Sequence, residues 1–313
     1  MIQKGMSSCL LIRIVFCGTG FITPVCMKYP KGFLVSIGGA EDKGDRSELD
    51  ERYELDFFKY GILENVRALM RKEKPHVEVI TTASGIPDDY FREYEKAFRS
   101  LGFGEVGHLR IRDRNDACDP AFLERLRRCD GVMISGGDQS RLCAVLGGTP
   151  VFDIIRERYL NEDFVVAGTS AGAASMSNTM ISGGDPARAY FKGEVQLSMG
   201  FGFMNDVIID THFDKRGRFG RLVQAIATQP GAIGIGLGED TGIIVQGGTR
   251  CRAIGSSSVV VVDGHDVYYN NITEVRKSAP VSVGGLRVHI MTHADEFDIE
   301  TRRFSGNKFE EHI

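Results

Sequence analysis

The chain of 313 residues contains no tryptophan and only nine prolines. No uninterrupted apolar run is long enough for a membrane-spanning helix, which needs about 20 residues. The most apolar stretch, near the start, is broken by Arg13. Its seven cysteines stand at positions 9, 17, 26, 118, 129, 143 and 251, and none forms a C-x-x-C pair. That spacing excludes a zinc ribbon or a thioredoxin-type redox motif. The odd count points to free thiols in a reducing compartment, hence a cytoplasmic protein. The net charge is −4 and the pI near 6.0, which argues against a general nucleic-acid binder.

The 42% hydrophobic content is that of an ordinary globular protein. A chain of about 300 residues buries roughly three quarters of its unfolded surface. Residues 1–26 read either as a poor leader or as an extension ahead of a true start at Met27, because MKYPKGFLVSIGG runs straight into the first strand. The leader reading leaves export open. Residues 27–313 then form a single α/β domain, with no internal repeat or low-complexity linker.

Strand-like runs of valine and isoleucine alternate with helical patterns. GFLVSIGGAEDKG (32–44), VEVITTAS (77–84), EVGHLRI (105–111), GVMISGGDQS (131–140) and FVVAG (164–168) read as strands with their loops. Helices are expected over 49–73, 88–102, 119–129, near 140–147 and about 150–160. This alternation implies βαβ units and a parallel sheet. Ligand sites of such sheets lie beyond the carboxyl ends of the strands. The loops IGGAED, TTASG, SGGDQ and GTSAG should therefore crowd onto one edge. Beyond residue 176, VIIDTHF (207–213) predicts a strand, 217–229 a helix and AIGIGLGEDTGIIVQGG (232–248) a strand pair. SSSVVVVDG, LRVHIMT and EFDIETRRF predict further antiparallel strands.

Gly168-Thr169-Ser170-Ala171-Gly172 fits G-x-S-x-G, which sets a serine on a tight strand-to-helix turn. The amide of Ala171 could donate to a developing oxyanion. A Gly-rich turn that only starts a helix has the same composition. Among the seven histidines, His212 alone ends a strongly apolar strand and precedes a helix, so the sheet-edge reasoning favours it as the base. His289 and His293 share one strand face, but no third metal ligand accompanies them. The orienting carboxylate could be Glu239, Asp210 or Asp240. Gly136 and Gly137 of SGGDQ could supply the second oxyanion donor, and Gln139 could bind a polar group of a substrate. Arg216, Arg218 and Arg221 follow His212 closely. Three guanidiniums there suit recognition of carboxylates, although a solvated helix face would look the same.

Together, IGGAEDKG, TTASG, SGGDQ, GTSAGA, THFDKRGRFGRL and GIGLGEDT resemble, in that order, the cyanophycinase family. This is a family of serine peptidases related to the aspartyl dipeptidases of the peptidase E type. The resemblance covers about residues 31–300. It implies a flavodoxin-like, class I glutamine amidotransferase-like α/β fold with a β-rich C-terminal portion. It also implies a serine exopeptidase that releases β-Asp-Arg dipeptides from cyanophycin, a poly-aspartate carrying arginine on each β-carboxyl. The family triad maps onto Ser170, His212 and Glu239, with oxyanion donors at Ala171 and around Gly137. Its substrate-binding residues map onto Gln139, Asp210, Arg216, Arg218 and Arg221, with Thr211 among them. Thr211 and Gly238 stand where the family has glutamine and aspartate, which bears on substrate preference. Arginine branches of the substrate could meet Glu41 or Asp42. No cofactor, metal, nucleic acid or membrane is implied, and a homodimer is. The alternatives are an aspartyl or β-aspartyl dipeptidase of the same fold and a non-catalytic homologue that binds acidic peptides. A generic esterase, with Asp185 or Asp206 as its acid, is a third.

Overall fold

The computed structural model describes residues 29–43 and 61–307. Along the chain come β1 (Phe33–Ile37), α1 (Ile62–Leu69), β2 (His76–Ile80), α2 (Pro87–Ser100) and β3 (Glu105–Leu109). Then follow α3 (Pro120–Arg128), β4 (Gly131–Ile134), α4 (Gln139–Leu146), α5 (Pro150–Asn161), β5 (Val165–Thr169) and α6 (Ala171–Ala174). The later part adds β6 (Thr179–Gly183), β7 (Gln196–Met199), β8 (Val207–Asp210), α7 (Phe219–Thr228), β9 (Ile233–Leu237) and β10 (Thr241–Gln246). It ends in β11 (Arg250–Gly255), β12 (Val259–Asp263), β13 (Tyr269–Asn270), β14 (Val283–Gly284), β15 (Arg287–Met291), β16 (Glu296–Asp298) and β17 (Arg303–Ser305).

The main sheet runs β17-β16-β11-β10-β1-β5-β4-β2-β3. The half from β1 to β3 is parallel, and the half from β10 to β17 is antiparallel. This is the expected α/β sheet with a β-rich C-terminal part. The strands β1 and β5 are buried throughout, as strands covered on both faces must be. Alternate residues serve two cores. Val35, Ile37, Val79 and Met133 pack with Ile62, Val66, Tyr94 and Phe98 of α1 and α2. Leu34, Ile80, Val132 and Ile134 face the other way, toward Leu126, Leu142, Ile155 and the second sheet.

Local signals set the helix starts. Pro87 and Pro120 occupy first-turn positions, where a missing N–H costs nothing. The Asp119 carboxylate accepts from Ala121 N, and that of Asp138 from Ser140 N and Arg141 N. Of the helix expected over 49–73, residues 49–60 lie outside the described residues. The described part stops at Leu69, where Arg71 turns to φ 49. The possible leader at 1–26 lies outside them as well.

The second sheet, β15-β12-β9-β8, changes two expectations. The strand leading to His212, β8, is not in the parallel sheet but pairs in parallel with β9. Nor do β9 and β10 form a pair. The turn between them, with Asp240 at φ 47, carries the chain from one sheet to the other. Two backbone hydrogen bonds fasten the sheets there, His212 N to Gly38 O at 2.8 Å and Asp240 N to Gly39 O at 2.9 Å, while Gly38 N to Thr241 O at 2.8 Å extends the β1–β10 pairing. Helix α7 covers the second sheet through Leu222 and Ile226, packed on Ile208 and Val262. Strands β6, β7 and β11 are not evident in the sequence pattern. Among the described residues no helix is long and apolar enough to cross a membrane.

Candidate active site

Ser170 stands between the last residue of β5 and the first of α6, at φ 50 and ψ −108. That is a sparsely populated conformation for a residue with a side chain, costing on the order of 1–3 kcal/mol. The small neighbours make it attainable. A β-carbon on Gly168 would lie 2.8 Å from Gly172 C, and one on Gly172 would overlap the carbonyl of Ile134. Helix α6 therefore packs directly on the strands. Ser170 N is fixed by Ile37 O at 2.9 Å, while Ser170 O accepts from Ala174 N at 2.9 Å. The side chain is half-buried, with its oxygen at the sheet edge.

His212 arrives from the second sheet. It too has positive φ, 49, and its Nε2 lies 3.0 Å from Ser170 Oγ. Its Nδ1 lies 2.7 Å from Glu239 Oε1. Donation of Nδ1–H to the carboxylate leaves the Nε2 lone pair facing the serine hydroxyl, the tautomer needed by a general base. Gly39, at φ +105, borders the ring. This contact was not foreseen, although the paired glycines at the end of β1 were its visible signal.

The three carboxylates considered for the orienting role separate clearly. Glu239 faces His212. Asp240 is buried and braces the turn, with Oδ1 accepting from Asp42 N at 3.1 Å and Oδ2 from Ser256 Oγ at 2.7 Å. Asp210, only 2% exposed, is gripped by the fork of Arg221, with Nε to Oδ2 at 2.7 Å and Nη2 to Oδ1 at 2.5 Å. It also accepts from Thr211 N at 2.9 Å, and Arg218 Nη1 lies 3.3 Å from Oδ1.

The arginines differ accordingly. Arg221 is buried, with its charge committed to Asp210. Arg218 is mostly covered and donates to Thr211 O at 2.6 Å. Burial pulls its guanidinium down to about 10, with the Asp210 charge opposing that fall. Arg216 is exposed and is the one of the three open to solvent. Thr211 is buried beneath them.

The loop after β4 lies beside Ser170. A β-carbon on Gly136 would stand 3.3 Å from Ser170 Cβ, and Gly137 has φ +139 where a side chain would overlap the carbonyl of Ala83. Ala171 opens α6, so its N–H has no intrahelical acceptor. Gln139, the first residue of α4, donates to Ile181 O at 3.0 Å. Glu41 does not meet the expectation of a substrate contact. It is buried and held by Thr169, Tyr94 and Lys43. His289 stacks on Phe304, and among the described residues no cluster of three or more histidines, cysteines or acids could hold a metal. A cavity of about 880 Å³ between Tyr29, Tyr159, Phe203 and Arg302 contains none of these residues.

Residues 58–252 match peptidase family S51. The chain belongs to that family. This S51 peptidase is 37% identical over 275 residues to the cyanophycinases of Synechococcus elongatus and Thermosynechococcus vestitus, a span covering 87% of this chain and 81% of each relative. To the cyanophycinase of Trichormus variabilis it is 35% identical over 272 residues, covering 87% of both chains. Among solved structures, a peptidase from an acI-B1 Actinobacterium matches with a TM-score of 0.61 at 21% identity, covering 87% of this chain and 98% of that one. At that identity the likeness speaks for the fold.

Proposed function

We propose that this S51 peptidase degrades cyanophycin by serine chemistry and releases β-Asp-Arg dipeptides. The observation that carries the mechanism is the relay from Ser170 Oγ through the two nitrogens of His212 to Glu239 Oε1. His212 takes the hydroxyl proton as Ser170 attacks an aspartyl carbonyl. The N–H of Ala171 and the Gly137 region hold the oxyanion, where one donor is worth on the order of 100- to 1,000-fold in turnover. Glu239 steadies the imidazolium. The proton then passes to the leaving amine, and water, activated by the same imidazole, hydrolyses the acyl-enzyme.

Its 32–37% identity to cyanophycinases supports the substrate. The exposed Arg216 supports it too, since a poly-aspartate leaves free carboxylates that a guanidinium binds. The Asp210–Arg221 pair acts beneath the other two arginines as the brace of the loop. Thr211 is buried against that pair and so does not meet the expectation of a substrate contact, and Gln139 completes the substrate wall.

The test is incubation of the native protein and Ser170→Ala with cyanophycin, followed by mass spectrometry. Release of β-Asp-Arg by the native protein alone supports the assignment. A native protein that leaves the polymer intact but cleaves short aspartyl peptides would move the substrate to the dipeptides.

A further inference from the structure

Glu41 is a buried carboxylate that the proposed mechanism leaves unused. Its side chain is 1% exposed. It sits in the loop after β1, whose last residue, Ile37, is in register with Thr169 on β5. Glu41 Oε2 accepts from Thr169 Oγ1 at 2.6 Å, and Oε1 accepts from the hydroxyl of Tyr94. Lys43 Nζ lies 3.6 Å from Oε1 and 5.0 Å from the centre of the Tyr94 ring. Burial, reinforced by the Glu41 charge, pushes the Tyr94 phenol well above its ordinary range, so the phenol stays a donor.

A buried carboxylate is costly unless hydrogen-bonded and paired. Here two hydroxyls and an ammonium meet that requirement. One hydroxyl belongs to the residue immediately before the strained Ser170. Three backbone or side-chain links thus converge on the turn: Ser170 N to Ile37 O, Ser170 O from Ala174 N, and Thr169 Oγ1 to Glu41. The first two fix its backbone. The third ties its strand end to the loop whose Gly39 also shapes the seat of His212.

We propose that Glu41 is a positioning residue, which acts through Thr169 to hold Ser170 at the distance from His212 that attack requires. This rests on Ser170 being the nucleophile. A displacement of about 1 Å in such a constellation costs about 100-fold in rate. Binding of substrate does not involve Glu41, so the loss falls on kcat and leaves KM nearly unchanged.

The experiment reads the rate at which an alkyl fluorophosphonate modifies Ser170, which requires an activated serine and no peptide substrate. The proteins are the native chain, Thr169→Val, Thr169→Ser, Glu41→Gln and Phe98→Leu. The last is a core change on the helix that carries Tyr94, and it sets the effect of lowered stability alone. The expected result is labelling about 10- to 100-fold slower in Thr169→Val and Glu41→Gln. Thr169→Ser, which keeps the hydroxyl, should stay within about threefold of native, as should Phe98→Leu. Labelling of Thr169→Val at the native rate overturns the proposal, as does slowing no greater than in a Phe98→Leu protein of equal melting temperature. A native protein that is not labelled at Ser170 overturns the nucleophile itself, and this role of Glu41 with it.

Discussion

The ring of His212 occupies the space that Gly39 leaves free. A β-carbon on Gly39 would stand 2.6 Å from His212 Nε2 and closer still to Cε1. Gly39 also has φ +105, where a side chain adds backbone strain. Gly39→Ala should therefore push the imidazole off Ser170 while the sheets, joined elsewhere, stay folded. The expected loss is about 100-fold in kcat. Steady-state kinetics beside a thermal melt would check it, and a fully active Gly39→Ala protein would show that the ring has room to spare.

The separate orientations of Glu239 and Asp240 make a paired test. Glu239→Gln keeps the shape but removes the charge that holds the Nδ1–H tautomer and stabilises the imidazolium. It should lower kcat by about 1,000- to 10,000-fold, with little change in melting temperature. Asp240→Asn instead loses an acceptor buried among Asp42 N and Ser256 Oγ. That change should cost about 1–3 kcal/mol of stability. If Asp240→Asn loses activity as severely as Glu239→Gln without destabilisation, the orienting role is misassigned.

Asp210 and Arg221 form a buried pair, 2% and 7% exposed. Removing one charge strands the other, which typically costs about 3–5 kcal/mol. Asp210→Asn should accordingly shift the urea midpoint strongly downward. Arg216→Ala, on the exposed side of the same loop, should leave the midpoint alone and raise KM for a carboxylate-rich substrate. Equal stability losses in the two variants would contradict this division between brace and binder.

The parallel half of the sheet was legible because four of its five strands are short apolar runs that end in a glycine-containing loop. The G-x-S-x-G turn was legible for the same reason: its glycines answer to local sterics. What the chain does after residue 200 was less so. β8 reads like any buried parallel strand, and nothing in VIID says that it joins a different sheet. Arg216, Arg218 and Arg221 are one residue type in a single stretch, and only burial against Asp210 separates them. Glu41 looked available to a substrate because its partners, Tyr94 and Thr169, lie 53 and 128 positions away. Long-range pairings of this kind are decided by packing and leave no periodic trace.

His108 gives a pH prediction away from the site. Its ring stacks on Phe91 at 4.3 Å and 4°, and its Nε2 lies 2.8 Å from Thr81 Oγ1. Burial lowers its pKa below the ordinary 6.5; Asp88 opposes the fall, and the charges of Arg110 and Arg125 assist it. Between the folded pKa and 6.5 the unfolded chain therefore binds a proton that the folded chain does not. Stability from this group is complete above about pH 6.5 and is lost as the pH falls toward the folded value. The melting temperature of the native protein should consequently drop more between pH 7 and pH 5 than that of His108→Gln. Proton NMR should place the His108 midpoint below 6.5. A midpoint at or above that value, or identical pH slopes in the two proteins, would show that burial does not govern this imidazole.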